Sequence, residues 1–294
     1  MSDFEGKVVI VTGAGGGLGK AHALEFAKRG AKVVVNDLGG TVDGSGQGDA
    51  ADMVVDEIKA AGGIAIANKA SVSDKDGARS MVTDAVDAFG TVDILVNNAG
   101  ILRDKSFKNM TLEEWDLVVS VHLNGSAYVT HAAWPIMYEK NYGRIVFTSS
   151  GSGIWGNFGQ SNYGAAKMGM LGLMNVLAIE GASHNIKVNC LAPGAATRMT
   201  ATVPGRDPVD IDNPPAERAP SLVTPAVLYM ASEDAPTGKV FQASGGNYSM
   251  ASMYSNPGFA IGAEANYESF HANKDTIMDM SEAQEGSARR RRSS

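Results

Sequence analysis

The sequence predicts an α/β chain built on a doubly wound parallel sheet of seven strands, with helices on both faces. Three observations predict it. Short apolar runs rich in Val and Ile alternate with longer segments of helical period through the first 200 residues. The first apolar run passes directly into a glycine-rich turn and then a helix. Strands separated by helices form right-handed parallel crossovers, and such units assemble into an open sheet covered on both sides.

Each element has a local reason. Residues 8–11 are a short β-branched run, and residues 17–29 form a helix that closes on basic residues and Gly30. Residues 33–35 make the second strand. Asp49 is placed to cap a helix that stops at Gly62-Gly63, and residues 64–67 make a weaker third strand. Ser73 is expected to cap the next helix, whose Ala78, Met81, Val82, Ala85, Val86 and Phe89 keep the helical period until Gly90. Residues 92–96 are the fourth strand. Thr111 and Glu114 have the spacing of a capping box, with Met110 and Trp115 placed for a hydrophobic staple. That helix runs towards Tyr138, and Pro135 is expected to kink or end it. Residues 144–148, 186–191 and 239–243 are the remaining strands; helices are expected over residues 163–180 and from Thr224-Pro225.

Two stretches are irregular. Residues 39–48 are Gly-rich, and residues 203–220, with five prolines, read as a surface loop or lid. Residues 1–250 are expected to be one domain holding cofactor and catalytic sites, with 251–282 an extension and 283–294, which includes four arginines, a disordered tail.

Composition narrows the class. The 294 residues are 44% hydrophobic, enough for one sizeable core, and the net charge of −7 argues against a nucleic-acid surface. The lone Cys190 sits in an apolar run and reads as a buried structural thiol. No apolar run approaches the ~18 residues of a membrane helix, no leader is visible, and the last residues are Ser-Ser, so a cytoplasmic chain is expected. No metal-ligand set is expected.

The chemistry lies in a few motifs. In Thr12-Gly13-Ala14-Gly15-Gly16-Gly17-Leu18-Gly19, Gly13 suits the tight turn, Gly17 a close backbone approach to a pyrophosphate, and Gly19 helix-on-strand packing. Free N–H groups at the start of that helix, Gly16 and Leu18 among its first residues, then face the phosphates. Asp37 ends the second strand, where a carboxylate binds ribose hydroxyls and repels a 2′-phosphate; no basic residue in the glycine loop offsets it, so NAD is expected over NADP. Asn97-Asn98-Ala99-Gly100 ends the fourth strand, either tying strands together or facing the cofactor. Tyr163 and Lys167 stand at i and i+4 on one helix face. A lysine there can lower the phenol's pKa and hold the nicotinamide ribose, and Ser150, thirteen residues before Tyr163, can hydrogen-bond the substrate oxygen.

These motifs in this order resemble the short-chain dehydrogenase/reductase family across about residues 5–250, with Pro193-Gly194 and Gly245-Gly246 adding to the match. The resemblance implies a Rossmann-type sheet and a dimer or tetramer. It assigns Tyr163 as acid/base, Lys167 as its support and Ser150 as the group that orients the carbonyl. It also implies cofactor contacts from Ser71, Val72, Asn98, Ala99, Gly100, Pro193 and Gly194, and from the 195–197 backbone, including Ala196 and Thr197.

A narrower resemblance rests on residues 33–40, Ile101-Leu102-Arg103-Asp104, Asn141-Tyr142-Gly143-Arg144 and Gly156-Asn157-Phe158-Gly159-Gln160. These are similar to the (3R)-hydroxyacyl-CoA dehydrogenase region of peroxisomal multifunctional β-oxidation enzymes, including the 17β-hydroxysteroid dehydrogenase type. The chain has no hydratase or sterol-carrier segment, so a stand-alone bacterial version is expected. The implied substrate is a 3-hydroxyacyl-CoA, with a hydroxysteroid as the alternative; Trp155 and Phe158 are expected to wall the acyl chain. Where the broad family has a fourth catalytic asparagine, His122 stands here, and whether it takes over that proton relay is open. A non-catalytic NAD sensor would be expected to have lost Tyr163 or Lys167, and both are present.

Overall fold

The computed structural model describes residues 4–41, 43–195 and 215–286. The chain divides into two compact units, Met1–Met250 and Ala251–Ser294.

In the first unit β1 (Val8–Thr12), β2 (Lys32–Asn36), β3 (Ile64–Asn68), β4 (Ile94–Asn97), β5 (Gly143–Thr148), β6 (Ile186–Gly194), β7 (Val240–Ser244) and β8 (Asn247–Ala251) form one sheet in the order β3-β2-β1-β4-β5-β6-β7-β8. The strands from β3 to β7 run parallel, with Val9 opposite Val33 on one side and Ile94 on the other. The seven expected strands are therefore present, and β8 adds an edge strand after the two-residue Gly245-Gly246 turn. The chain winds outward from β1 in one direction and from β4 in the other. The crevice where two such halves diverge, at the strands' C-terminal ends, is where this architecture binds ligands.

All five residues of β1 are buried, which is why the run reads as continuously apolar rather than alternating. Val9, Val11, Val33, Val35, Ile94 and Val96 pack against α1 (Gly17–Lys28), α2 (Ala50–Ala60) and a helix near the C-terminal end of the unit, α8 (Thr224–Ala231). The alternate face carries α3 (Lys75–Phe89), α5 (Gly125–Glu139) and α7 (Ser161–Glu180). Phe26 is wholly buried and meets Phe4 edge-on at 5.1 Å, closing α1 onto the N-terminal segment.

The helix ends correct several expectations. Asp74, not Ser73, caps α3 through Gly77 N, and Gly90 ends it at φ +86°. Asp49 occupies the N-cap of α2 but directs its carboxylate to Lys69 at 2.7 Å. The Thr111–Glu114 capping box on α4 (Leu112–Val119) is fully formed. Pro135 lies inside α5 without ending it. The break comes earlier, where Ser120–Asn124 form a π turn between α4 and α5. One extra residue per turn rotates the side chains that follow, and such turns are frequent at functional sites.

In the second unit Tyr254–Ser255 pairs antiparallel with Gln284–Glu285, and short helices span Tyr267–Ala272 and Lys274–Met278. Ordered pairing thus continues to residue 285, past the start expected for the tail; the four arginines and most of the 203–220 loop lie outside the described residues. Among the described residues no helix is long and apolar enough to cross a membrane, and no group of His, Cys, Asp or Glu is arranged to hold a metal.

Candidate active site

A cavity of about 360 Å³ opens at the C-terminal ends of β1, β4, β5 and β6. Its first half is built around the glycine turn. Gly13 sits at φ +63°, and a Cβ there would lie 2.7 Å from Ala99 Cα, so only glycine allows this approach. The Thr12 hydroxyl accepts from the backbone N–H groups of Asn98 and Ala99 at 3.0 and 3.1 Å. Asn98 Nδ2 donates to the carbonyls of Thr12 and Gly13, both at 3.0 Å. The Asn98 amide therefore ties β4 to the β1 turn while its residue still lines the cavity with Ala99 and Gly100. Gly16, Gly17 and Leu18 line the cavity too. Gly19 does not: it lies beneath Gly13, where a Cβ would be 2.2 Å from the Gly13 carbonyl oxygen.

Asp37 stands over this turn, accepting from Gly15 N at 2.8 Å and Gly39 N at 2.7 Å. Of the lysines and arginines among the described residues, only Lys167 lines the cavity, and none lies beside Asp37. Ser71 and Val72 line it beyond β3. The 39–48 insertion, irregular by its sequence, brings Gly40, Thr41 and Gly44 to the cavity wall. Asp43 organises the turn by accepting from the Thr41 and Ser45 hydroxyls, and Arg103 Nε donates to the Asp43 carbonyl at 2.9 Å. Glycine turn, open N–H groups and acidic strand end together fit an adenine dinucleotide.

The second half gathers Ser150, Tyr163, Lys167 and His122. Ser150 caps the short α6 (Gly151–Trp155), accepting from Ser152 N at 3.1 Å, and its hydroxyl is hydrogen-bonded to that of Tyr163. Burial pushes the Tyr163 phenol up to about 12 against the opposing pull of the Ser150 hydrogen bond. Burial also brings Lys167 down to about 7; its ammonium donates to the Thr148 carbonyl and lies 5.3 Å from the Tyr163 ring centroid. The expectation that Lys167 lowers the phenol's pKa is thus corrected for the protein alone: desolvation dominates both groups and favours their neutral forms.

His122 is 1% exposed, and the π turn holds its ring edge-on to Tyr163 at 5.0 Å. Its Nε2 lies 2.8 Å from the Ile101 carbonyl and 3.1 Å from the Ile101 N–H, while Nδ1 is buried without a partner among the described residues. Desolvation first, then the Lys167 charge, keeps this imidazole neutral far below its usual range. Gly100 makes room for it, since a Cβ there would lie 2.3 Å from His122 Cε1.

Trp155 and Phe158 do not form the expected wall. They are 70% and 90% exposed and stay outside the cavity: Trp155 is the last residue of α6, and Phe158 follows the Gly156 C-cap at φ +81°. Asn157 and Gln160 line the cavity from that loop instead, and Ile101, Leu102, Leu117 and Val121 supply the apolar side. In the sequence Gln160 stands out only as the last residue of the Gly156–Gln160 segment that carries the narrower resemblance. Pro193 and Gly194 line the cavity with Ala195, whereas Ala196 and Thr197 lie outside the described residues.

Known proteins are similar to this chain. A family model described as short chain dehydrogenase matches residues 7–206. Peroxisomal multifunctional enzyme A of Dictyostelium discoideum is 54% identical over 246 residues, 83% of this chain and 54% of its own length. The peroxisomal hydratase-dehydrogenase-epimerase of Neurospora crassa is 48% identical over 265 residues, 90% of this chain and 29% of its own. The chain therefore spans about half or less of these curated relatives. A crystal structure of a short chain dehydrogenase from Mycobacterium avium is 42% identical with a TM-score of 0.82, covering 96% of this chain and 97% of that one.

Proposed function

The chain belongs to the short-chain dehydrogenase/reductase family and is an oxidoreductase of a family that uses NAD or NADP; from that premise we propose that it oxidises a 3-hydroxyacyl-CoA to the 3-ketoacyl-CoA with NAD. The observation that carries the reading is the cavity itself. One end offers a glycine turn and Asp37; the other brings Ser150, Tyr163 and Lys167 together beside an apolar wall. The preference for NAD is supported by Asp37 at the glycine turn of a cavity that no lysine or arginine among the described residues lines except Lys167. The substrate is supported by one relative's name, since a hydratase makes the alcohol that a dehydrogenase next oxidises.

The residues divide the work. When bound, NAD would accept the hydride, and Gly13, Gly16, Gly17, Asp37, Ser71, Val72 and the Asn98–Gly100 segment would hold it. Ser150 donates a hydrogen bond to the substrate oxygen beside Tyr163. Tyr163 takes the hydroxyl proton as general base in oxidation and returns it as general acid in reduction. Lys167 holds the nicotinamide ribose and balances the phenolate charge. His122, with its unpartnered Nδ1 in the same buried space, relays the proton in place of the usual asparagine.

The same proposal takes residues 1–250 as the cofactor-binding and catalytic domain, a homodimer or homotetramer as the assembly, and the cytoplasm as the location. Light scattering tests the assembly. Fractionation of the source cell tests the location, against the peroxisome named for the relatives. NADH formation measured against racemic 3-hydroxyacyl-CoA, estradiol and simple secondary alcohols tests the substrate. A thioester should exceed the steroid in kcat/KM by well over about tenfold; efficient estradiol oxidation without thioester turnover would make the chain a 17β-hydroxysteroid dehydrogenase.

A further inference from the structure

The segment before Tyr163 is stitched to the segment after β4. Lys105 N donates to the Gly159 carbonyl at 2.9 Å, and Asn162 Nδ2 donates to the Arg103 carbonyl at 3.2 Å. Between these two ties lies a polar chain of side chains. Gln160 Nε2 donates to Asp104 Oδ2 at 2.6 Å, and Gln160 Oε1 accepts from Asn157 Nδ2 at 3.0 Å.

This chain fixes the Gln160 amide chemically. A carboxylate only accepts, so the end facing Asp104 must be nitrogen. Asn157 donates to the other end, which must therefore be oxygen. An amide nitrogen carries two hydrogens, and Asp104 takes one. No second acceptor for Nε2 exists among the described residues. Gln160 is 5% exposed, and it lines the cavity that holds Ser150 and Tyr163. It stands three residues before Tyr163, and its carbonyl accepts from Gly164 N at 2.7 Å, starting the ladder of α7. Gln160 is the N-cap of α7, and it lines the same cavity as Tyr163. A 3-hydroxyacyl group carries oxygens on its first and third carbons, so it can take one hydrogen bond from each residue.

We propose that Gln160, oriented by Asp104 and Asn157, donates its free Nε2 hydrogen to the acyl oxygen of the substrate, two carbons from the carbon that Tyr163 serves. The inference rests on the dehydrogenase reading and sharpens it. Gln160 is then the residue that selects a 3-hydroxyacyl thioester over an alcohol with no second oxygen. A site built to bond a polar group discriminates strongly against an analogue that lacks it, because the buried donor is left unpaired.

The test deletes each partner in turn. The wild-type enzyme is assayed with NAD against 3-hydroxybutyryl-CoA and against the thioether S-(3-hydroxybutyl)-CoA, which lacks only the acyl oxygen. The thioether should fall in kcat/KM by about 10- to 100-fold. Gln160→Met, which keeps length without the amide, should lose about that factor on the thioester and little on the thioether, so that the two substrates converge. The Kd for NADH, read by fluorescence, should stay within about twofold of wild type. A wild-type enzyme that treats both substrates alike overturns the proposal even if the variant fails to fold. An equal loss on both substrates in Gln160→Met also overturns it, as the mark of a structural role. If the wild type oxidises neither CoA compound but does oxidise simple alcohols, the substrate reading fails and takes this proposal with it.

Discussion

Tyr163 and Lys167 illustrate how burial sets the chemistry of single residues. Removed from water, each is pushed towards its neutral form, to about 12 and about 7. For Lys167 the folded pKa lies below the unfolded value of 10.5, so the unfolded chain binds more protons between those two values. Stability of the cofactor-free protein should therefore rise as pH climbs from about 7 towards 9, stop rising above 9 as Cys190, whose thiol burial pushes up, opposes it, and fall above 10 as Tyr163 adds to the opposition. On the acid side His22, brought down to about 3 by burial, and His122 should make stability fall below pH 6.5. Melting temperatures across pH check both limbs, and Lys167→Met should flatten the alkaline rise. Asp37 bears on the cofactor. Asp37→Ala should narrow the NAD-over-NADP ratio of kcat/KM, both by weakening NAD and by removing repulsion; a wild-type preference for NADP would contradict the role given to Asp37. The Tyr163–Lys167 pair was legible because i,i+4 spacing fixes a shared face. The exposure of Trp155 and Phe158 was not, because they flank the end of the short α6 at Gly156, and sequence spacing does not encode where so short a helix stops.

Elements were legible where burial wrote a continuous signal. The wholly buried β1 and the period of α3 were readable directly. Ser73 and Asp74 are both good caps standing side by side, and only the turn geometry selects Asp74. Pro135 misdirected the reading of α5, whereas the π turn at Ser120–Asn124 carries no composition of its own. β8 was missed because its residues are mostly exposed and so lack an apolar run. The contact between α1 and the glycine turn makes a prediction at this scale. In Gly19→Ala the new methyl would meet the Gly13 carbonyl at 2.2 Å, and backbone cannot step aside as a flexible side chain does. The variant should lose about 1–3 kcal/mol of stability. It should also bind NADH at least about tenfold more weakly, because the moved turn is the one that faces the phosphates. Denaturant melts and NADH titration check the pair of effects; a variant with unchanged affinity would separate helix packing from the cradle.

The first unit gathers the proposed cofactor-binding and proton-transfer residues in one crevice, and the fold explains why. The order β3-β2-β1-β4-β5-β6-β7 brings the β1 turn beside β4, where the Asn98 N–H donates to the Thr12 hydroxyl across 86 residues of sequence. Because the cavity exists only in the folded chain, NADH at 100 times its Kd should add about 2.7 kcal/mol of stability, seen as a rise in melting temperature that a cavity unrelated to the cofactor would not give. The central claim is that Tyr163 carries the proton for an NAD-linked oxidation of a 3-hydroxyacyl thioester. The most direct measurement is the rate of NADH formation from NAD and 3-hydroxyacyl-CoA by the wild type and by Tyr163→Phe, with the Kd for NADH measured on both. The account predicts turnover in the wild type, a loss of at least about 10²-fold in the variant, and matching Kd values. Equal rates in the two proteins, or no NADH from the thioester with the intact enzyme, would contradict it.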